Sequence, residues 1–249
     1  MLTEITRWHS AITTLAKFHR IPPSSVNLST YGKPTNFYTR QIATFNTISL
    51  AQASTRDIET HLPVGKIPHQ DEMVSFFSDP VTQPADRSTF IHGDYKIDNL
   101  VFHKTLPRVI GILDWEMSTI GHPLSDLTNL LSPYLTASST TLKSFGRAHE
   151  GFIPNTTPGL PTRSQLIEWY REVAGWDPAG DMLWGDAFAT YRNTIIMQGI
   201  AARYAVRQAS SAQARSFGEM MGPYAEVAWG VVEEFKERQK QGKDGKAKL

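Results

Sequence analysis

The chain has 249 residues, 40% hydrophobic and 20% charged, enough apolar material for one large core or two modest ones. Its 25 Lys and Arg balance 24 Asp and Glu, which gives no global electrostatic case for nucleic acid or for an anionic membrane. There is no cysteine, so disulfides and thiolate chemistry are excluded, and a metal could be held only by His, Asp, Glu or Asn.

From the N-terminus, Ile5, Trp8, Ile12, Leu15 and Phe18 fall at helical spacing within Leu2 to His19. They predict an amphipathic helix that Pro22 and Pro23 stop. Charges run through this segment, so it does not read as a signal peptide, and no stretch approaches the ~20 apolar residues that span a bilayer. A cytoplasmic protein is expected. A second helix follows Thr35, with Phe37, Tyr38, Ile42, Phe45 and Ile48 on one side, and a third covers Glu72 to Phe77.

Three short β segments come next: Thr89 to Ile91, Leu100 to His103 and Val109 to Leu113. The last two are separated by Lys104 to Arg108, a length that suits a hairpin. Beyond them the pattern is helical, with Pro123 in the first turn of a helix through Leu131. A Pro/Gly/Thr-rich loop, Ile153 to Ser164, leads to a helix capped by Thr162 or Ser164. Two long helices are expected at Asp181 to Gln208 and Ala212 to Glu237. Trp169, Trp176 and Trp184 read as core or rim packing. The end of the chain, 238–249, is basic and reads as a disordered tail.

The residues that call for chemistry sit around the predicted hairpin, in "FIHGDYKIDNLVFHKTLPRVIGILDWE". Closing the hairpin brings Asn99 next to Leu113 and Asp114, and the loop that carries Asp94 enters at the same end. Hard oxygen ligands of this kind suit Mg²⁺, above all when phosphate fills the remaining positions. Asp94-x-Lys96-x-x-Asn99 followed by Asp114 matches the layout that phosphoryl transfer uses in kinases. Asp94 would take the proton of the attacking hydroxyl, Asn99 and Asp114 would hold metal, and Lys96 would reach the transferred phosphoryl group. Taken one at a time, these Asp and Asn residues are ordinary turn formers. The constellation carries the reading. Glu116 either assists a second metal or faces water.

"HGDYKIDN", "ILDWE" and "GHPLSDLTNLL" resemble the aminoglycoside phosphotransferase and choline-kinase-like family, in the branch also found fused to acyl-CoA dehydrogenases. The likeness extends from "LAKFH" through "YGKPTNFYTRQI" to "QGIAARYAVRQA", over most of 1–237. It implies an α+β, predominantly helical fold: a protein-kinase-like C-terminal lobe over 1–237 with a small β-hairpin catalytic element. The implied activity is ATP-dependent, Mg²⁺-assisted phosphorylation of a hydroxyl on a small molecule, the branch pointing toward a hydroxyacyl compound. Asp94 would be the catalytic base, with Lys96 beside it. Lys96, Asn99 and Asp114 would bind the cofactors, Asn99 and Asp114 as metal ligands. Asp126 would be a buried acid bonded to the catalytic-loop backbone, and His92 would brace that loop from within; read alone, His92 is a structural histidine or a metal ligand.

The family's N-terminal β lobe, with its phosphate-covering loop and lysine, is expected to be absent. No Gly-x-Gly-x-x-Gly and no Gly-Lys-Ser/Thr occurs in the sequence. Half a nucleotide cleft predicts very slow transfer by this chain alone, and it leaves a surface suited to self-association. A truncated kinase-like lobe serving as a non-catalytic binding module is the alternative, and a metal-dependent hydrolase is a third reading with only the carboxylates in its favour.

Overall fold

The computed structural model describes residues 4–246. Its contacts divide the chain into two compact units. One comprises the chain up to Phe37 together with Ala85–Gly185; the other comprises Tyr38–Pro84 and the chain from Asp186 onward.

The first unit is built on α1 (Glu4–His19), α4 (Leu124–Ala137) and α6 (Arg163–Ala174), with the short α5 (Thr140–Ser144) between the last two. Trp8, Ile12 and Leu15 of α1 are buried, together with the small Ala11 and Ala16. They join Leu124, Leu127, Leu130 and Leu131 of α4 and Leu166 and Tyr170 of α6 in one cluster. Each such leucine contributes about 1.5–3 kcal/mol by leaving water. The capping box at α6, in which Thr162 accepts from Gln165 N–H and Gln165 bonds back, fixes where that helix starts.

Two short antiparallel ladders complete this unit. β1 (Thr89–Ile91) pairs with β4 (Thr119–Gly121), Phe90 opposite Ile120. β2 (Leu100–Phe102) pairs with β3 (Val109–Ile112), with a register irregularity at Val101/Phe102. The hairpin thus closes where its spacing predicts. β4 is unforeseen: three residues between a turn and a His-Pro pair give no alternation to read. Gly121 is required there, since a Cβ would lie 2.7 Å from Phe37 and Ile91.

The second unit holds α2 (Phe37–Ser54) from Tyr38 on, α3 (Gln70–Ser78), α7 (Met182–Ala205) from Asp186 on, α8 (Ala214–Gly218) and α9 (Met221–Lys246). Phe77 packs edge-on to Phe188 and stacks on Tyr191, while Gln70 Nε2 donates to the Tyr191 hydroxyl at 2.9 Å. Among the described residues no helix is long and apolar enough to cross a membrane.

Three boundaries differ from the sequence reading by a helical turn or more. α4 runs past Leu131 to Ala137 with Pro133 inside it. Burial of Thr136 and Ala137 and the bond from the Tyr134 hydroxyl to the Pro161 carbonyl (2.8 Å) hold the turn that proline weakens. The last predicted helix is two, α8 and α9, because Pro223 has no N–H for residue 219. α9 then continues to Lys246, through residues expected to be a disordered tail from 238; Glu234 and Arg238 pair across one of its turns.

Candidate active site

The site lies in the first unit, and its foundation is Asp126 in the first turn of α4. The residue is completely buried. A buried carboxylate is tolerable only when its oxygens are fully satisfied, and here the backbone N–H groups of His92 and Gly93 donate to it at 2.6 and 2.8 Å. His19, the last residue of α1, adds Nε2 at 3.2 Å, and its Nδ1 meets the Tyr170 hydroxyl at 2.7 Å. Burial holds the Tyr170 phenol well above its usual range, so it keeps its proton. A His19 imidazole with its hydrogen on Nε2 then donates to Asp126 and accepts from Tyr170.

Gly93 has φ +85°, and a Cβ there would lie 2.6 Å from the Met117 carbonyl. Only glycine fits that turn. His92 is fully buried, with Nε2 donating to the Leu113 carbonyl at 2.8 Å and Nδ1 accepting from the Asp94 N–H at 3.2 Å. Both ring nitrogens are spent within the chain, which leaves none for a metal.

Asp94 follows. Lys96 Nζ lies 2.7 Å from Oδ2 and Asn99 Nδ2 lies 3.2 Å from the same oxygen, while Asn99 also donates to the Asp94 carbonyl at 2.9 Å. Asn129, one turn beyond Asp126 on α4, donates to Oδ1 at 3.3 Å and to the Tyr95 carbonyl at 3.1 Å. Tyr95 anchors the loop in the core through its hydroxyl, 2.8 Å from the Ala11 carbonyl.

Asp114 arrives from the other strand. The Leu113 N–H donates to the Asn99 carbonyl at 2.8 Å, extending the hairpin by one bond, and the Leu113 carbonyl takes the His92 proton. Residue 113 is therefore tied to both ends of the loop that carries Asp94. Asp114 itself is left-handed (φ 69°, ψ 55°), exposed, and makes no hydrogen bond or ion pair among the described residues. Glu116 beside it is exposed too.

The donor set fits a hard cation. Asn99 turns its nitrogen onto Asp94, which leaves its carbonyl oxygen for a ligand, and the Asp114 carboxylate is open. Among the described residues no group of three or more His, Cys, Asp or Glu assembles. One carboxylate and one amide make an incomplete cage, of the kind Mg²⁺ uses when waters and phosphate oxygens supply the rest.

Sequence reasoning missed His19, Tyr170 and Asn129. Asn129 was within reach of it, three residues after Asp126 on the same helical face. His19 and Tyr170 come from distant helices and leave no local signal.

The model of the phosphotransferase enzyme family matches residues 6–162. Acyl-CoA dehydrogenase family member 11 of Gallus gallus is 32% identical over 219 residues, 87% of this chain and 26% of that protein. Family member 10 of Mus musculus is 30% identical over 217 residues, 86% of this chain and 19% of that protein. The chain thus spans about a quarter or less of the length of these relatives. Among solved structures, a candidate aminoglycoside phosphotransferase from Ralstonia eutropha superposes with a TM-score of 0.78 at 29% identity, over 92% of this chain and 65% of that one. The ADP-bound aminoglycoside phosphotransferase APH(2'')-Ib gives 0.51 at 13% identity, over 91% of this chain and 67% of that one, a likeness of fold alone.

Proposed function

The chain belongs to the phosphotransferase enzyme family, and from that premise we propose that it carries the base and the cation-holding side of a site that phosphorylates a hydroxyl of a small molecule with ATP. The observation that carries this reading is the double tie at Leu113, to Asn99 and to His92. It sets Asp114 beside the loop of Asp94 and Asn99, which are otherwise far apart in sequence.

Asp94 is the base. As the acceptor hydroxyl oxygen bonds to the γ-phosphorus, the bridging bond to ADP breaks and the hydroxyl proton passes to a carboxylate oxygen of Asp94. Lys96, Asn99 and Asn129 hold that carboxylate in one orientation, so no reorganisation is needed at the moment of transfer. Lys96 also brings positive charge to the phosphoryl group. Asn99 Oδ1 and the Asp114 carboxylate would hold Mg²⁺, which when bound neutralises phosphate charge. The fusion of similar domains to acyl-CoA dehydrogenases supports a hydroxyacyl acceptor over a polycationic one.

The experiment is thermal melting with Mg·ATP on the wild type and on Asp114→Ala. Binding raises the midpoint by mass action. A saturable shift in the wild type that the substitution abolishes is the expected result. No shift in either protein would instead favour a non-catalytic binding module.

A further inference from the structure

The "YGKPTNF" segment, Tyr31 to Phe37, stands outside the chemistry described so far. It is nonetheless fastened to the turn that presents Asp114. The Leu28 N–H bonds to the Pro23 carbonyl at 2.9 Å, and the Asn36 N–H bonds to Asp86 Oδ2 at 2.9 Å, so the loop is pinned at both ends. Between these pins Gly32 lies so close to β4 that a Cβ would sit 2.6 Å from the Ile120 nitrogen. The Tyr31 ring stands edge-on to Phe90, 6.1 Å between centroids, and its hydroxyl bonds to Ser118 Oγ.

The direction of that bond is determined. Ser118 spends its only side-chain proton on the Trp115 carbonyl, 2.6 Å away, so the Tyr31 hydroxyl must be the donor. The result is a relay, Tyr31 O–H to Ser118 O–H to the Trp115 carbonyl, in which each bond strengthens the next. It ends on the residue after Asp114. The Ser118 N–H bonds to the same carbonyl at 3.0 Å, and the Trp115 indole N–H closes back onto the Ile112 carbonyl at 2.7 Å. Asp114 holds its left-handed conformation between these two closures, with no bond from its own carboxylate among the described residues. Its aim is therefore set by the backbone turn, and the outer face of that turn is gripped by Tyr31.

We propose that Tyr31 is a positioning residue for the cation-holding Asp114, acting through Ser118 and the Trp115 carbonyl. The inference rests on the proposed function, since it presupposes that Asp114 binds a cation. Tyr31 is 46% exposed, and its phenol is not needed to fill the core. Tyr31→Phe keeps the ring against Phe90 and removes only the relay's first donor.

The test uses terbium, a hard, oxygen-seeking cation whose luminescence an adjacent indole sensitises; Trp115 follows Asp114 directly. The wild type should give a saturable signal that Mg²⁺ displaces and Asp114→Asn abolishes. Tyr31→Phe should weaken terbium affinity ~10-fold, the scale on which outer partners tune a metal site. Its melting midpoint should stay within ~4 °C of the wild type. Ser118→Ala should match it, and the double variant should add little, because both cut one relay. Unchanged affinity in Tyr31→Phe and Ser118→Ala, with the signal still lost in Asp114→Asn, would overturn the positioning role and leave the cation site standing. No saturable signal in the wild type would overturn the cation site and the positioning role with it.

Discussion

Asp94 is about a quarter exposed and takes bonds from Lys96, Asn99 and Asn129, whereas Asp114 is exposed and takes none among the described residues. One carboxylate is oriented by side chains; the other is oriented only by the turn beneath it. The difference fits the tasks proposed for them. A base must meet a proton at a fixed point, so its oxygens are held before the substrate arrives. A cation ligand must keep its oxygens open, so rigidity has to come from the backbone. Neither region is stabilised mainly by the residues that face the reaction. Behind them lie the buried Asp126, His92 and His122, whose hydrogen bonds hold the backbone of both.

The largest way to break this contrast is Asp126→Ala. It strands the His92 and Gly93 N–H groups and the His19 imidazole in the core. We expect a loss of about 3–5 kcal/mol in urea denaturation, the range for removing one partner of a buried charged network.

Acid acts next. His122 is fully buried, donates from Nε2 to the Ala85 carbonyl at 3.1 Å and accepts the Leu124 N–H on Nδ1 at 3.2 Å. Burial lowers its pKa from 6.5 to about 4. Between those values the unfolded chain binds the proton and the folded chain does not, so stability is complete above pH 6.5 and falls as pH drops toward about 4. The loss should total roughly 3 kcal/mol, and His122→Gln should flatten that part of the pH–stability curve.

Asp114→Gly sharpens the comparison from the other side. Glycine adopts the φ of 69° freely, so the variant should be more stable by about 1 kcal/mol while losing all stabilisation by Mg·ATP. The smallest effect belongs to Lys96→Ala. Its ion pair with Asp94 is partly exposed (44% and 24%), and denaturation should change by less than ~1 kcal/mol. A larger change would mean that Lys96 bears on the loop's fold and not only on Asp94.

How much of this could be read from the chain depends on the range of each interaction. The helices of the first unit announce themselves through apolar spacing, as at Trp8, Ile12 and Leu15, because burial writes a period into the sequence. The hairpin was legible because two β-rich runs flank a turn of the right length. Asn99 and Asp114 could be brought together on paper by closing that turn. β4 was not legible: three residues with one buried apolar side chain acquire strand character only by pairing with β1. Nor was the His19–Tyr170 pair, whose partners are 151 residues apart. The continuation of α4 through Pro133 went unseen because tertiary burial, not local propensity, decides it. The grip of Tyr31 on Ser118 spans 87 residues, and spacing alone could not reveal it.

The most direct test of the account is anomalous diffraction from crystals of this chain soaked with Mn²⁺ and ATP. A manganese peak bonded to Asn99 Oδ1 and the Asp114 carboxylate is expected, with Asp94 near it but outside its coordination shell. A well-ordered site occupied by nucleotide, with manganese bound elsewhere or not at all, would contradict it.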